Sequence, residues 1–513
     1  VATRTLETDV LVVGAGPVGL MLAGELRLGG AATVVLERRD APTTESRAST
    51  LHARTMELLD SRGLLDALGT PPDEPRGHFG GVPLDLTLPS PWPGQWKVPQ
   101  TRTEELLQDW ALGLGADLRR GYALRAVRVG AETGAGDEGV AGGERTAGDG
   151  SAGGVEVVAA GPGGRALRVR ARFVVGCDGE DSTLRRLTGA GFPGRDAGRE
   201  LLRADVAGID VPDRRFQRLE KGLAIAARRG DGVTRVMVHE FGAEPRGGEP
   251  DFGEVAQVWK RVTGEDISSG DPLWVNSFGD ADRQLDAYRR GSVLFAGDAA
   301  HQQMPIGGQA LNLGLQDAVN LGWKLAAEVR GRAPAGLLDT YHAERHAVGR
   351  RVLANIRAQA LLLLGGPEVE PVRALLGELI AERPQVRAHL AGMISGLDIR
   401  YGTDAEDRLL GARLPYVRLR GPDGPSDTAD LLRTGGRGLL LDLAGDARLR
   451  TAVRPWADRI VTVTARPAPD SALGAARAVL VRPDGYVAWT GTEGAPGGPE
   501  IALKNWFGIS DRN

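Results

Sequence analysis

Residues 9–37 lay down strand, glycine turn, helix and strand in unbroken succession. The run Asp9-Val10-Leu11-Val12-Val13 leads into Gly14-Ala15-Gly16-Pro17-Val18-Gly19, a helical stretch carries the chain to Leu28, and Val34-Val35-Leu36-Glu37 closes the unit. Gly14 permits the tight turn, Gly16 lets the backbone approach a pyrophosphate, and Gly19 lets the helix pack close to the strand. The helix N-terminus offers unpaired N–H groups and a partial positive charge to phosphates. Glu37 follows Gly19 by 18 residues, at the end of the second strand, where a carboxylate accepts hydrogen bonds from a ribose; it suits a 2′-hydroxyl and repels a 2′-phosphate. In this full context the pattern predicts a bound adenine dinucleotide, with a ligand-free βα turn as the bland alternative.

At 513 residues the chain is expected to hold two or three domains. Sixty-three basic against 67 acidic residues, a net charge of −4, give no reason to expect nucleic acid or an anionic membrane as partner. The single cysteine, Cys177, excludes internal disulfides and cysteine-built metal sites, and points to a cytoplasmic protein. No apolar run approaches the roughly 18 residues of a membrane span, and no signal-peptide pattern is present.

Further along, a Glu/Arg-rich helix is expected around Arg54-Thr55-Met56-Glu57-Leu58-Leu59, and strands and loops over 76–100. A helix starts at Gln100 with Thr103 as its N-cap. Residues 131–154 are poor in apolar side chains and read as a flexible hairpin tip between Leu124–Val129 and Val155–Val158. Alternating runs between about 186 and 288 predict an antiparallel sheet that covers a substrate. Val293–Ala296 reads as a buried strand, followed by helices at roughly 312–330 and 338–363. Beyond 400, Gly438–Asp442, Ile460–Val463 and Ala478–Trp489 predict a separate small α/β domain, with Pro483-Asp484-Gly485 as a turn in the last of them.

Two further motifs place an Asp just after a buried strand. One is Gly176-Cys177-Asp178-Gly179-Glu180-Asp181-Ser182, the other Ala296-Gly297-Asp298-Ala299-Ala300-His301 with Pro305-Ile306-Gly307-Gly308-Gln309-Ala310-Leu311-Asn312 behind it. At the C-terminal edge of a sheet such carboxylates can meet a polyol. The helix start after the second of them suits negative charge on a reduced flavin.

In this order the three motifs resemble the class A flavoprotein aromatic hydroxylases, most closely those of actinomycete angucycline and anthracycline polyketides. The resemblance spans essentially the whole chain and includes His78-Phe79-Gly80-Gly81 and Asp317–Leu325. It implies an α/β fold with three parts: a Rossmann-like FAD-binding domain of the p-hydroxybenzoate-hydroxylase type (1–75, 100–185 and 289–400), an antiparallel-sheet substrate domain (76–99 and 186–288), and a C-terminal thioredoxin-like domain (401–513) without redox cysteines. Carried over, the FAD contacts fall on Gly14, Gly16, Pro17, Gly19, Glu37 and Arg38, on Arg47 at the phosphates and Gln100 at the ribityl region, on Asp178 and Gly179, which also serve NAD(P)H, and on Gly297 and Asp298. Pro305, Gly308, Ala310, Leu311 and Asn312 match the loop beside the isoalloxazine ring.

The implied activity is monooxygenation with bound FAD, NADPH or NADH as electron donor, and O2. A flavin C4a-hydroperoxide passes its distal oxygen to a polycyclic aromatic polyketide, and no catalytic base is required. Baeyer–Villiger oxygen insertion and a redox-silent flavin-binding accessory are the alternatives. The protein is expected to be a monomer or homodimer.

Ala310 replaces the usual glycine of Gly-Gly-Gln-Gly-x-Asn; if φ is positive there, alanine is strained. Glu180 stands where glycine is common. His52, His78, Phe79, Trp92 and Trp96 are candidates to line the substrate site, with surface or core positions as the bland alternative. His301 reads as a backbone-orienting loop residue, and His342/His346, with Glu344 and Arg345 between them, as a solvated helix face rather than a metal site.

Overall fold

The computed structural model describes residues 4–44, 48–130, 154–229, 231–402, 407–422, 424–468, 470–493 and 498–510. The opening unit forms as expected: strand β1 (Arg4–Val13), helix α1 (Pro17–Leu28) and strand β2 (Thr33–Glu37). β1 starts five residues before the apolar run, because polar Arg4–Thr8 pairs in parallel with Leu167–Ala171. Val10–Val13 and Val34–Leu36 are buried, as strands covered on both faces must be.

In the central sheet, Val293–Phe295, Ala166–Gly176, β1, β2 and Asp117–Arg120 lie side by side and parallel in that order. The three motif turns therefore leave the same sheet edge from three adjacent strands. Ala123–Val129 and Val155–Ala160 add an antiparallel hairpin with Val129 opposite Val155. Residues 131–153, the expected flexible tip, lie outside the described residues.

A second, five-stranded sheet is wholly antiparallel, in the order Arg214–Leu219, Gly222–Arg228, Val233–Glu240, Glu200–Ala207, Asp271–Gly279. Period-two alternation gives it two apolar faces. One buries Ala204, Ala224, Val236 and Val238 under Val255, Val258, Trp259 and Val262 of the helix Phe252–Thr263, which starts at an Asp251/Glu254 capping box. The other carries Leu201, Leu223, Phe216, Ile225, Met237 and Phe278 against Met304 and Ile306 and against Ile356, Ala360 and Leu363 of the helix Asp339–Leu364. This second face looks onto the loop of the third motif.

The helix Gln100–Gly113 is capped by Pro99, not by Thr103. Gln100 N–H is already bonded to Ala48 O at 2.8 Å, so the chain enters the helix there; Thr103 sits in the first turn with its N–H on Pro99 O.

Near the C-terminus, Gly438–Asp442 and Ile460–Thr464 are parallel, Ala478–Val481 and Val487–Gly491 run antiparallel, and the helix Glu500–Phe507 follows. Gly485 at φ +85° makes the turn that splits the last apolar run into two strands. This unit is fastened to the rest by buried charge. Arg482 donates to both Glu344 oxygens at 2.6 and 2.9 Å, and Lys324 Nζ reaches Glu344 Oε2 at 2.8 Å. Arg345 is fully buried on Asp317. The expected solvated face at His342–His346 is thereby corrected: Glu344 and Arg345 point into charged partners, and both histidine rings pack on Tyr288.

Candidate active site

The glycine turn shows three distinct environments. Gly14 has φ +103°, and a Cβ there would lie 2.4 Å from Cys177 O, in the turn of the neighbouring strand. A Cβ on Gly19 would lie 2.0 Å from Gly14 O, so only glycine allows the helix this close. Gly16 differs: nothing lies within 4 Å of where its Cβ would be. Gly16 is also the N-cap of α1 and makes no side-chain cap, with Pro17 in the first turn, so the helix N-terminus opens onto that space. Glu37 reaches across the turn: Oε2 accepts from Ala15 N–H and Oε1 from Arg39 N–H, both at 2.9 Å. Arg38 is exposed beside it.

Ser182 caps the short helix Thr183–Leu187, and Asp178 supports that turn by accepting from Ser182 Oγ at 2.5 Å and Leu184 N–H at 3.1 Å. Gly179 has φ +80° and faces open space, and exposed Glu180 accepts from Gln302 Nε2 at 3.4 Å. Arg185 links the second and third motifs by donating to Ala299 O at 3.0 Å while its guanidinium stacks 3.8 Å over Phe192. In the third motif Gly297 turns at φ +63° between buried neighbours and leaves Asp298 on the outside.

Asp317, a residue the sequence reading did not single out for the site, holds that turn. Its Oδ2 accepts from Gly297 N–H at 3.2 Å and contacts His301 Nε2 at 2.7 Å, and its Oδ1 accepts from Arg345 Nε at 2.7 Å. Burial acts to raise the Asp317 pKa; Arg345 and His301 outweigh it and hold the carboxyl below its usual range. His301 thus orients the loop through Asp317.

The loop 305–312 then delivers a helix start. Gly307 and Gly308 are both left-handed, φ +64° and +69°, and Gly308 caps the 21-residue helix Gln309–Val329. Ala310 is the second residue of that helix; the positive φ the loop needs falls on 307 and 308, so alanine at 310 is unstrained. Asn312 ties the loop to the strand Thr50–His52: Oδ1 accepts His52 N–H at 2.8 Å, and Nδ2 donates to Gly308 O at 2.7 Å and Thr50 O at 3.0 Å. Buried His52 meets Gly307 O through Nε2 at 2.7 Å, which puts its proton on Nε2. Burial, reinforced by Lys97, lowers its pKa to about 4 in spite of that bond. Pro305 is exposed and Leu311 half-buried against the main core.

Comparison with known proteins agrees with this geometry. Residues 7–356 match the family model described as FAD binding domain, and residues 407–510 match the one described as aromatic-ring hydroxylase, C-terminal. The chain belongs to the FAD-binding aromatic-ring hydroxylase family. A 12-dehydrotetracycline 5-monooxygenase/anhydrotetracycline 6-monooxygenase of Streptomyces rimosus is 41% identical over 98% of this chain and 99% of its own length. The structure of CabE, an aromatic hydroxylase from angucycline biosynthesis, is 49% identical, with TM-score 0.88 and coverage of 98% and 99% of the two chains. A dialkyldecalin synthase of Streptomyces rugosporus is 38% identical over 98% and 99%.

The site fits the family's FAD. The open cradle at Gly16, the uncapped start of α1 and the Glu37 carboxylate form one continuous set for a pyrophosphate and its ribose. Of the remaining expected contacts, Gln100 accepts from Ala48 N–H at 3.2 Å and donates to Glu104 at 2.9 Å. Arg47 lies outside the described residues.

The substrate candidates separate. Phe79 is buried with Val82, Leu84 and Leu362 in a core beneath its hairpin. Trp92 and Trp96 pack edge to face at 5.7 Å onto the main core, and Trp92 Nε1 donates to Asp60 at 2.9 Å. The core alternative describes Phe79, while the two tryptophans are half-buried against the edge of the main core. His52 stays with the loop, and His78 is half-buried with its ring 4.1 Å from Phe216.

Proposed function

We propose that this hydroxylase-family chain is an FAD-dependent, NAD(P)H-consuming monooxygenase that hydroxylates a polycyclic aromatic polyketide. The observation that carries this is the convergence of three motif turns at one sheet edge, with the Pro305–Asn312 loop facing an apolar sheet wall of Leu201, Leu223, Ile225 and Met237. The relatives acting on tetracycline and angucycline skeletons support the substrate class.

Bound FAD supplies electron transfer from the nicotinamide and activation of O2. The chain's own part is to bind, orient and exclude water. Gly14, Gly16, Pro17, Gly19, Glu37 and Arg38 would hold the ADP half, with Arg47 and Gln100 further along the cofactor. Asp178, Gly179, Gly297 and Asp298 would meet the polyol from the adjoining turns. Pro305, Gly308, Ala310, Leu311 and Asn312 would flank the ring, where the helix start at 309 favours negative charge.

The chain is read as FAD-binding (1–75, 100–185, 289–400), substrate-binding (76–99, 186–288) and C-terminal (401–513) parts; separate apolar clusters around the central sheet, the five-stranded sheet and the C-terminal strands support three bodies, whereas Phe79–Leu86 packs with Leu362–Ile394 rather than with the five-stranded sheet. A parallel pair followed by an antiparallel pair and a helix supports reading 401–513 as thioredoxin-like, with a structural role because it holds no cysteine.

The test is the visible spectrum of the purified protein, followed by NADPH in air with and without an angucyclinone. A flavin band that bleaches and recovers, with NADPH use accelerated by the polyketide and one oxygen atom added to it, is the expected result. A flavin band indifferent to both additions would overturn the reading.

A further inference from the structure

Phe216 is one of two non-glycine residues among those described with positive φ, at +49°. It sits in Arg214–Leu219, an edge strand, where pairing with Gly222–Arg228 slips between Arg214 and Gln217. An aromatic residue in left-handed backbone at a bulge is strained and persists only where its surroundings hold it. Here the residues around it are clamped. Arg215 donates to Arg76 O at 2.6 Å, in the hairpin that carries His78. Arg218 donates to Leu363 O at 2.7 Å, Gly365 O at 2.8 Å and Gly366 O at 2.9 Å, at the C-terminal end of the helix Asp339–Leu364. Between these anchors the bulge turns the Phe216 ring to within 4.1 Å of the His78 ring and onto the cluster that contains Met304 and Ile306, next to the Gly307-Gly308 turn.

His78 is held in one tautomer. Gly81 N–H donates to its Nδ1 at 3.1 Å, so the ring proton is on Nε2, which has no partner among the described residues. Arg215, Lys97, His52 and Arg373 face the ring. Burial and these groups lower its pKa to about 4, so it stays neutral in ordinary buffers.

Building on the proposed function, we infer that Phe216 is a specificity-determining residue of the substrate site, offering an aromatic surface to a fused-ring substrate, and that its partner His78 donates Nε2–H to an oxygen on that substrate's edge. The pair selects a flat polycycle bearing a carbonyl or phenolate oxygen over a single phenol ring. The backbone strain at Phe216 is the sign that ring position was kept against local preference.

The experiment uses holoenzyme and the probe 1,8-dihydroxyanthraquinone, with resorcinol as the one-ring comparison. Binding is read from the perturbation of the oxidised flavin spectrum, and KM and kcat from NADPH oxidation. F216A and H78A are expected to raise the dissociation constant of the anthraquinone about tenfold or more, to raise KM more than they lower kcat, and to narrow the preference for the anthraquinone over resorcinol. H78Q, which keeps an N–H donor, restores part of the loss; H78F does not. F216G melts at or above F216A because glycine accepts φ +49°, yet binds no better, which separates the ring from the backbone. Anthraquinone binding within twofold of wild type in both F216A and H78A overturns the pair while leaving the proposed function intact. A wild type that binds no polycycle overturns both.

Discussion

Asn312 accepts the His52 backbone N–H at 2.8 Å, and through that bond the helix start beside the Gly307-Gly308 turn is tied to the strand Thr50–His52. The same amide donates to Gly308 O and Thr50 O, so Asn312→Ala removes three hydrogen bonds and leaves the buried His52 N–H without its acceptor. A loss of roughly 1–3 kcal/mol in stability is expected, together with weaker flavin retention. Thermal melts and the ratio of flavin to protein absorbance after gel filtration check both.

Gly16 and Gly19 are expected to fail in different ways. At Gly16 φ is −75° and the space for a Cβ is open, so Gly16→Val should fold near normally but lose FAD, because the side chain occupies the phosphate cradle. Gly19→Ala drives a Cβ to 2.0 Å from Gly14 O and should destabilise the fold itself. Apoprotein melting temperatures and FAD titrations distinguish the two; equal effects on both readouts would contradict the division of roles.

Asp317→Asn removes the charge that pairs buried Arg345 and steadies Gly297. An uncompensated buried guanidinium typically costs about 3–5 kcal/mol. Urea unfolding of the variant measures it, with accompanying loss of flavin expected because the third motif's turn is no longer held.

Acid should loosen the attachment of the C-terminal unit. Burial acts to raise the Glu344 pKa, but Arg482 and Lys324 outweigh it and pull the carboxyl from 4.5 down to about 2. The folded value lies below the unfolded one. The stabilising contribution is therefore fully present above about pH 4.5 and is lost as pH falls toward 2. At about 1.4 kcal/mol for each pH unit of separation this amounts to about 3–4 kcal/mol at most. Glu344→Gln should be less stable at neutral pH and show a shallower fall in stability across that window in denaturant titrations.

Ala310→Gly should leave the flavin spectrum and the coupling of NADPH use to product essentially unchanged, since residue 310 already has helical backbone. It should lower stability by about 0.5–1 kcal/mol, the usual effect of glycine inside a helix. A large change in coupling would show that the loop depends on residue 310 after all.

What was legible in the sequence depended on how far its constraints reach. Gly14, Gly16 and Gly19 act within six residues of one another, so with the flanking strands and Glu37 they announced the turn, the helix and a dinucleotide ligand, while the family was a resemblance carried by three motifs in order. The turn at Gly485 is equally local, whereas the helix Phe252–Thr263 was missed inside a stretch read as antiparallel sheet, although its Asp251/Glu254 capping box is a local signal. The helix start at Gln100 was read correctly, but its cap was misassigned to Thr103, because the bond that fixes the chain's entry comes from Ala48, 52 residues away.

The remaining features depend on strand order and packing. Val293–Phe295, Ala166–Gly176 and β1 become neighbours only in the sheet, and that adjacency makes one site of three motifs. Asp317 reaches Gly297 across 20 residues, Arg482 reaches Glu344 across 138, and Phe216 meets His78 only because Arg215 and Arg218 clamp an edge strand from opposite sides. Contacts at such separations follow no helical or strand period. Motif residues and local turns could therefore be read from the chain, whereas the partners of its buried charges and the apolar sheet face opposite the 305–312 loop were set by the tertiary structure.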